Sequence, residues 1–352
     1  MPPPPAVPVP VPLPGVGDLL AGARVVQLPL AVRFRGVDVR EALLLRGPAG
    51  WGEFAPFVEY PDAEAARWLA AAVEAAWDAA PPAAVRDTVP VNATVPAVDA
   101  ARVPDVLARF DGCTTAKVKV AEPGQHLQAD VDRVAAVRDV LGRAGRIRVD
   151  ANAAWSVEDA VTALAALAPY GLEYAEQPCA RLDDLRALRV ALARAGLDVP
   201  VAADESVRRA EDPLRVVAAG AADVVIVKVA PLGGVRAALE VARVLGEAHG
   251  IPVVVSSALD TSVGLAAGVR LAAALPRLPY ACGLGTAALL AADVTEPPLR
   301  PVGGAICVAA AVGLAPSADL LAAHTAPPQR RAWWLDRLAR CHALLVGAGA
   351  AA

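Results

Sequence analysis

The segment Ala116-Lys117-Val118-Lys119-Val120 is a short apolar run that carries two lysines two positions apart. Four more apolar runs follow it, and each ends close to one charged residue: Asp150, Glu176, Asp204 and Lys228. Counted from Lys119, these charges are 24 to 31 residues apart, which is one strand plus one helix. Parallel barrel strands are buried on both faces, so a charge that closes such a run is costly without a partner. The spacing therefore predicts a (β/α) barrel with its charges at the C-terminal strand ends, where such barrels carry their active sites.

The length of the chain predicts a second domain beside the barrel. At 352 residues the chain exceeds the ~250 of a typical barrel by about a hundred. We predict an α/β protein, a (β/α)7β TIM-like barrel with an α+β capping domain built from the N-terminal segment and the C-terminal tail. The expected parts are a disordered Pro-rich tail, the N-terminal capping domain, the barrel and a C-terminal segment that packs on the cap: 1–15, 16–88, 89–286 and 287–352.

Local patterns predict the individual elements. Residues from Val25 to Val58 alternate as in an antiparallel meander, and Asp62 is expected to be the N-cap of the helix that follows. A last helix is expected from Arg330 to Leu345. The barrel strands are expected at Val89–Val95, Ala116–Val120, Arg146–Val149, Glu173–Ala175, Val201–Ala203, Val224–Val227, Pro252–Val255 and Tyr280–Gly283.

Composition excludes several classes of partner. The 33 basic and 37 acidic residues give a net charge of −4 without a basic block, so nucleic acid is not an expected partner. No stretch has the continuous apolar length of a membrane span, and the N-terminus lacks the basic region of a signal peptide. Five scattered cysteines without a CxxC pair suit a reducing, cytoplasmic location. The sequence does not decide between a monomer and a homo-oligomer.

Three acidic residues close neighbouring strands and indicate a metal site. Asp150, Glu176 and Asp204 end predicted strands three, four and five, so their carboxylates are expected to converge at one rim. Converging like charges repel and raise one another's pKa unless a cation lies among them. Oxygen ligands favour Mg²⁺ over zinc, with Mn²⁺ as the second choice. The alternative is that each acid separately caps a helix or pairs with an arginine.

Lysines flank the predicted metal site and indicate acid–base chemistry. Lys117 and Lys119 are two apart on a strand and therefore face the same side, the barrel mouth. One cation beside another lowers the pKa of a lysine, which makes a neutral amine available as a base. Lys228 ends strand six, across the barrel. A metal, a base and a second ammonium suit removal of the proton α to a carboxylate. Lysines that only snorkel at a barrel end are the alternative.

Further polar groups are candidates for binding the substrate. Arg148, on the strand of Asp150, is expected to hold a second substrate carboxylate, and Asn152 to hydrogen-bond substrate or a metal ligand. Polar packing and simple turns are the alternatives here. Contacts from the capping loop stay open, with Arg33 and Arg35 nearest in the sequence. Hydroxyls and backbone N–H groups after strands seven and eight suit an anion: Ser256, Ser257, Gly283, Gly285 and Thr286.

These residues resemble the enolase superfamily, specifically its muconate-lactonising subgroup, which carries Lys-x-Lys on strand two and a lysine on strand six. The segment Trp51–Phe57 is similar to the superfamily's capping segment, which shields the substrate. The likeness covers almost the whole chain. Four segments look like the o-succinylbenzoate synthase family of the actinobacterial type: Arg148–Trp155, Glu176–Pro178, Ala203–Ser206 and Ser256–Gly264.

The resemblance implies an activity and a role for each residue. The reaction would be the Mg²⁺-dependent syn-dehydration of 2-succinyl-6-hydroxy-2,4-cyclohexadiene-1-carboxylate (SHCHC) to 2-succinylbenzoate, a step toward menaquinone. Lys119 would remove the α-proton and then protonate the departing hydroxyl, Lys228 would stabilise the enediolate, and Lys117 would tune Lys119. Arg148 matches the family's substrate-binding arginine. The implied metal ligands are Asp150, Glu176 and Asp204.

Other functions remain open at the level of sequence. Relatives with the same lysines racemise N-succinylamino acids, for which Lys119 and Lys228 must alternate as acid and base. Dipeptide epimerases carry Asp-x-Asp on strand eight, whereas this chain has Cys282–Thr286 there. Muconate cycloisomerase fits the serines after strand seven less well. A non-catalytic ligand-binding barrel is the alternative from a different class, and it conflicts with the presence of every acid and lysine of the pattern.

Overall fold

The structure is a computed structural model, and it describes residues 12–34, 36–78, 80–208 and 213–351. The strands, in chain order, are β1 Ala23–Phe34, β2 Val37–Gly47, β3 Gly50–Phe54, β4 Thr88–Pro90, β5 Ala93–Val95, β6 Thr115–Lys119, β7 Arg146–Asp150, β8 Leu172–Glu176, β9 Val201–Ala203, β10 Val224–Val227, β11 Val253–Val255 and β12 Ala305–Cys307.

Helices fill the intervals between the strands. The α-helices, in chain order, are α1 Val16–Gly22, α2 Asp62–Trp77, α3 Val103–Leu107, α4 Leu127–Leu141, α5 Val157–Leu167, α6 Leu182–Arg194, α7 Glu205–Arg208, α8 Arg215–Ala218, α9 Val229–Leu232, α10 Val235–Arg243, α11 Ser262–Ala274, α12 Val308–Ala311, α13 Ala318–Ala323 and α14 Pro328–Ala351. Short 3₁₀ turns lie at Ala100–Arg102, Ala168–Tyr170 and Thr286–Leu289, and a π-helical turn lies at Val244–Ala248.

The cap contains a three-stranded antiparallel sheet, β1-β2-β3, and both faces of this sheet are covered. Successive side chains of a strand point to opposite faces. Leu43 and Leu45 pack with α2 and α14 in one apolar cluster, which includes Trp334. Leu44 faces the other way and packs with Val263 of the barrel. The alternation of β2 therefore joins the cap helices on one side and the barrel on the other.

Seven parallel strands, in the order β5 to β11, form the barrel sheet. Single parallel bridges from Cys282 to Val91 and from Gly283 to Ser256 join its two edges. The strand expected at Tyr280–Gly283 is therefore reduced to these two bridges. The strand expected at Val89–Val95 is divided, because β4 leaves the barrel to pair antiparallel with β12.

Two local expectations are corrected. Asp62 is not the N-cap of α2, since Pro61 occupies that position and Asp62 is the first helical residue. Its carboxylate instead pairs with Arg340 of α14 at 2.6 Å, so a tertiary ion pair has replaced the local cap. The expected Pro-rich tail falls mainly on residues 1–11, which lie outside the described residues; nearby, Leu13 packs against the cap core. Within the ranges that the structure describes, no helix is both long and apolar enough to cross a bilayer.

Candidate active site

Strand register aligns the predicted charged residues at one end of the barrel. Lys119 on β6 lies opposite Asp150 on β7, and Asp150 lies opposite Glu176 on β8. Asp204 follows the last residue of β9, and Lys228 follows the last residue of β10. Because parallel barrel strands end at the same edge, these buried side chains gather at the C-terminal rim.

Two lysines of β6 are bound to the carboxylates of the next two strands. Lys119 Nζ donates to Asp150 Oδ2 at 2.5 Å, and Lys117 Nζ donates to Glu176 Oε1 at 2.7 Å. Lys117 Nζ also lies 3.2 Å from Asp150 Oδ2. The acids and the lysines therefore form one connected cluster.

This cluster contains every lysine of the chain. The sequence has 33 basic residues, of which three are lysine and 30 are arginine. The third lysine is Lys228, whose Nζ donates to Asp204 Oδ2 at 2.5 Å. Arginine stays protonated in proteins, whereas lysine can release a proton. All three lysines of the chain therefore lie beside the acids of the rim, a compositional signal that the motif-based interpretation of the sequence missed.

Burial and neighbouring charges act against each other in the cluster. Burial would raise the pKa of Asp150, but Lys119 and Lys117 hold it well below its ordinary value. Burial, with Asp150 adding to it, raises the pKa of Glu176 to about 7. Burial would lower the pKa of Lys117, yet Glu176 and Asp150 outweigh it, so this pKa is raised. At Lys117 the nearby carboxylates thus outweigh the effect of one cation on another, and the tuning of Lys119 by Lys117 stays a prediction.

The donor set of the acidic cluster suits a divalent cation. Asp150 of β7 and Glu176 of β8 present carboxylate oxygens to the cluster, and Glu176 Oε2 is buried without a hydrogen-bond partner among the described residues. A buried oxygen of this kind is costly unless a cation or proton meets it. In the part of the chain that the structure describes, no three acidic, histidine or cysteine side chains surround a common point. The lysine ammonium groups pair with these carboxylates in the structure.

A small cavity lies between the rim and the cap. It measures about 30 Å³, which is room for a few water molecules only. A larger ligand therefore requires this space to widen. The lining side chains come from both domains: Phe34, Phe57, Tyr60, Trp68, Thr94, Lys117, Lys119, Asn152, Lys228, Ser256, Ser257, Ala258, Leu259, Gly283 and Thr286.

Asn152 is placed at the base of this cavity by an unusual backbone. Its φ is +46°, in the left-handed region that asparagine tolerates better than most residues. This turn brings its Oδ1 to accept a hydrogen bond from Lys119 Nζ at 2.9 Å, while its backbone N–H donates to Asp150 Oδ1. Asn152 therefore orients Lys119 as well as lining the cavity.

The residues after strands seven and eight are mostly brought to the cavity. Ser257 Oγ donates to the Gly283 carbonyl at 2.7 Å and lies 2.8 Å from Thr286 Oγ1. A side chain at Gly283 would collide with Ser256, since its Cβ would lie 2.4 Å from Ser256 Oγ. Gly285 is not among the lining residues and packs beneath them against Phe110.

Arg148 is not brought to the cavity. Its side chain is fully buried, and its Nε donates to Glu173 Oε2 at 2.6 Å. Its NH1 donates to Asn92 Oδ1 and to the carbonyl of Ala281, and the guanidinium lies 4.8 Å from the centre of the Tyr174 ring. Arg148 is thus placed in the barrel interior and not at the cavity, in contrast to the expected contact with a substrate carboxylate.

The cap contributes residues that the motif search did not identify. Phe34 lies with its ring centre 5.2 Å from Lys119 Nζ, a cation–π distance. Trp68 of α2 lines the same cavity. Arg33, one of the two cap candidates, is exposed and does not line the cavity, and Arg35 lies outside the described residues. No period or motif marks Phe34 or Trp68, because their contact with the rim depends on how the cap docks.

Comparison with known proteins identifies the class of this capped barrel. Residues 98–320 match the family described as Enolase C-terminal domain-like, and residues 25–76 match Enolase N-terminal domain-like. The muconate lactonizing enzyme from Pseudomonas fluorescens, solved with muconolactone, superimposes with a TM-score of 0.73 at 24% identity, over 86% of this chain and 98% of that one. N-succinyl Arg/Lys racemase from Bacillus cereus gives a TM-score of 0.69 at 19% identity, over 87% and 97%. The expected TIM-like barrel with a cap is confirmed.

Relatives with higher sequence identity indicate the family within this superfamily. The o-succinylbenzoate synthase of Mycolicibacterium smegmatis is 58% identical over 94% of this chain and 98% of its own length. Those of Mycobacterium tuberculosis and Mycobacterium leprae are 55% and 54% identical, each over 95% of this chain and over 97% and 95% of their own lengths. The chain belongs to the o-succinylbenzoate synthase family of the enolase superfamily. Membership of this superfamily generally implies a divalent metal and a small-molecule substrate.

Proposed function

We propose that this protein is an o-succinylbenzoate synthase that dehydrates SHCHC to 2-succinylbenzoate, a step of menaquinone biosynthesis, in the cytoplasm. The observation that carries the proposal is the 54–58% identity to o-succinylbenzoate synthases over nearly the full chain. The gathering of Lys119, Lys228 and three acids at one rim supports the same conclusion from geometry. Nucleic acid and membranes are not proposed partners.

The proposed cofactor is Mg²⁺, with Mn²⁺ as the second choice, held by Asp150, Glu176 and Asp204. Their oxygen-only donor set and the unpartnered Glu176 Oε2 support a hard divalent ion. When bound, such an ion supplies positive charge that stabilises an enediolate. The acids would then release the lysine ammonium groups that they hold in this structure.

Lys119 is the proposed general base and acid. It lines the cavity, and its Nζ is held between Asp150 Oδ2 and Asn152 Oδ1. It takes the proton α to the carboxylate and, on the same face, returns a proton to the departing hydroxyl, which leaves as water. Lys117 lies behind it as a fixed charge that tunes it.

Lys228 is the proposed electrostatic stabiliser. It lines the same cavity from the end of β10, across the barrel from β6, and its Nζ pairs with Asp204. An ammonium group placed there opposes the negative charge that develops when the α-proton is removed. Asn152, Ser256, Ser257, Gly283 and Thr286 are the proposed contacts to the remaining polar groups of the substrate.

N-succinylamino acid racemase is the second candidate. It is favoured by one observation, namely that Lys119 and Lys228 both line the cavity. A racemase needs both lysines to exchange protons with the substrate, whereas the dehydratase needs only Lys119 to do so. A non-catalytic ligand-binding barrel is disfavoured because all three lysines of the chain lie in this cluster.

The deciding experiment compares two substrates with one protein. Purified protein with Mg²⁺ is given SHCHC, whose absorbance is followed, and separately N-succinylamino acids, whose rotation is followed by polarimetry. Both assays are repeated with Lys119→Ala, with Lys228→Ala and after EDTA. Fast metal-dependent dehydration with little racemisation supports the synthase. The opposite ratio makes the protein a racemase, and activity in neither assay contradicts both proposals.

A further inference from the structure

The loop that follows β11 carries an outlying backbone angle beside the cavity. Leu259 has a φ of +62°, a left-handed conformation that is strained for a leucine. Leu259 and its neighbour Ala258 both line the cavity. Such strain persists only where surrounding contacts hold the residue in place. The contacts that hold Leu259 are therefore part of how this wall of the cavity is built.

The contact at Leu259 comes from the cap. Arg40 lies on β2, is 3% exposed, and its Nε donates to the Leu259 carbonyl at 3.0 Å. Its NH2 donates to the carbonyl of Ala55, on the cap side, and lies 3.4 Å from that of Ala258. One guanidinium thus bridges a cap segment and the strained barrel loop. Its planar fork suits several fixed carbonyl acceptors at once.

Arg40 also supports a cavity residue of the cap. Its guanidinium lies 4.6 Å from the centre of the Phe57 ring, and Phe57 lines the cavity together with Leu259. Arg40 itself is not among the lining residues. Arg40 therefore contacts Phe57 of the cap and the barrel loop at Leu259 from outside the cavity, and it fixes the position of both.

A second tie from the cap reaches the same loop. Glu53 of β3 accepts hydrogen bonds from the backbone N–H of Thr261 at 3.1 Å and from that of Gly264 at 3.1 Å, at the start of α11. A Cβ at Gly264 would lie 2.9 Å from the Glu53 carboxyl carbon, so this approach requires glycine.

We propose that Arg40 is a positioning residue, which holds the loop from Ser256 to Thr261 against the cap so that the two domains build one substrate-binding wall. This inference rests on the proposed function for the identity of the substrate, though not for the order of the loop. Arg40 touches neither the reacting atoms nor the acids of the rim. Because the wall contacts the substrate equally before and during reaction, its loss raises KM and leaves kcat largely unchanged.

The test uses Arg40→Met, Arg40→Lys and the control Arg330→Met in the full-length, Mg²⁺-loaded protein. Arg330 binds Glu41, the neighbour of Arg40 on β2, in an ion pair that stays inside the cap. The readouts are kcat and KM for SHCHC, and amide hydrogen exchange of the peptide that contains Ala258 to Gly264 without substrate. Arg40→Lys retains the positive charge but lacks the planar guanidinium with its several N–H donors. It serves as the second variant if Arg40→Met does not fold.

Arg40→Met is expected to raise KM about tenfold with kcat changed less than about threefold, and to speed exchange of the loop peptide. Arg40→Lys is expected to lie between it and wild type, and Arg330→Met to match wild type in both readouts. Wild-type KM and loop exchange in both Arg40 variants overturn the inference, even if the melting temperature falls. If wild type does not act on SHCHC while the exchange pattern is as expected, the proposed function fails and the positioning of the loop by Arg40 stands.

Discussion

Lys117 and Arg148 lie opposite each other on neighbouring strands, yet their side chains lie in different parts of the barrel. Lys117 turns toward the mouth, lines the cavity, pairs with Glu176 and shares Asp150 with Lys119. Arg148 is sealed in the interior against Glu173. The mouth therefore holds charges whose partners can be exchanged, and the interior holds a charge whose partners are permanent. The two residues occupy equivalent positions in their strands. Their different roles therefore come from the partners that lie within reach of each side chain.

Metal removal tests the exchangeable character of the mouth and should give the largest effect. EDTA is expected to abolish dehydration while the protein stays folded, because the lysines can satisfy the acids in place of the metal. Activity assays and circular dichroism measure the two properties, and added Mg²⁺ should restore activity. Loss of the folded state in EDTA would show instead that the metal is structural.

Lys119→Ala should reduce kcat by about a thousandfold, the usual contribution of a general acid–base group. Lys228→Ala is expected to reduce dehydration less, because that lysine only stabilises charge. In a racemase both losses would be of similar size. Steady-state kinetics at saturating Mg²⁺ measure kcat, and the melting temperature serves as the control for folding.

A pair of substitutions compares the two basic residues directly. Arg148→Met leaves Glu173 without its partner, so the free energy of unfolding should fall by about 3 kcal/mol. Its kcat should stay within about threefold of wild type, because the group does not reach the cavity. Lys117→Met should lower kcat about tenfold or more, and because it leaves Glu176 without its buried partner, the free energy of unfolding should fall as well. Urea unfolding and kinetics on both variants decide, and equal losses of activity would return Arg148 to the substrate site.

A pH dependence of stability is expected at the joint between cap and barrel. Burial, with Asp260 adding to it, raises the pKa of Glu53 from 4.5 to about 8. The folded state therefore favours the protonated acid, and this contribution to stability is lost as the pH rises from about 4.5 to about 8. The advantage of Glu53→Gln over wild type in free energy of unfolding should grow over that range.

Glu41→Gln is the matched control for that measurement. Glu41 is also partly buried, but hydrogen bonds from Arg330, Gln27 and Trp334 outweigh burial and lower its pKa. Its contribution is therefore lost only as the pH falls below the ordinary value. The difference in free energy of unfolding between Glu41→Gln and wild type should stay constant from pH 5 to pH 8. A constant difference for Glu53→Gln as well would show that Glu53 is ionised throughout.

The barrel could be predicted from the sequence because each strand carries its own apolar pattern in a few neighbouring residues. Each buried parallel strand reads as an apolar run, and the charges that end β6 to β10 follow at regular steps. Strand register then had to bring Lys119, Asp150 and Glu176 into one row, as observed. The eighth strand was less visible, because only Cys282 and Gly283 make bridges there.

Contacts between distant segments were not predictable in the same way. Asp62 had the sequence of an N-cap, but Arg340 of α14 took its carboxylate. Arg148 had the position of a substrate ligand, but Glu173 and Asn92 engaged it. In both cases a partner far away in the sequence outweighed a local rule, because a buried charge binds the partner that docking brings within reach.

The sequence by itself determined the barrel, the row of acids and the identity of the reactive cations, since strand periodicity and three lysines among 33 basic residues are properties of the chain alone. Tertiary structure alone decided which cation faces the cavity, and it placed Phe34, Trp68 and Arg40 of the cap beside or behind the rim. The physical reason is that periodicity arises from neighbouring residues, whereas the enclosure of a site depends on how two separately patterned surfaces pack.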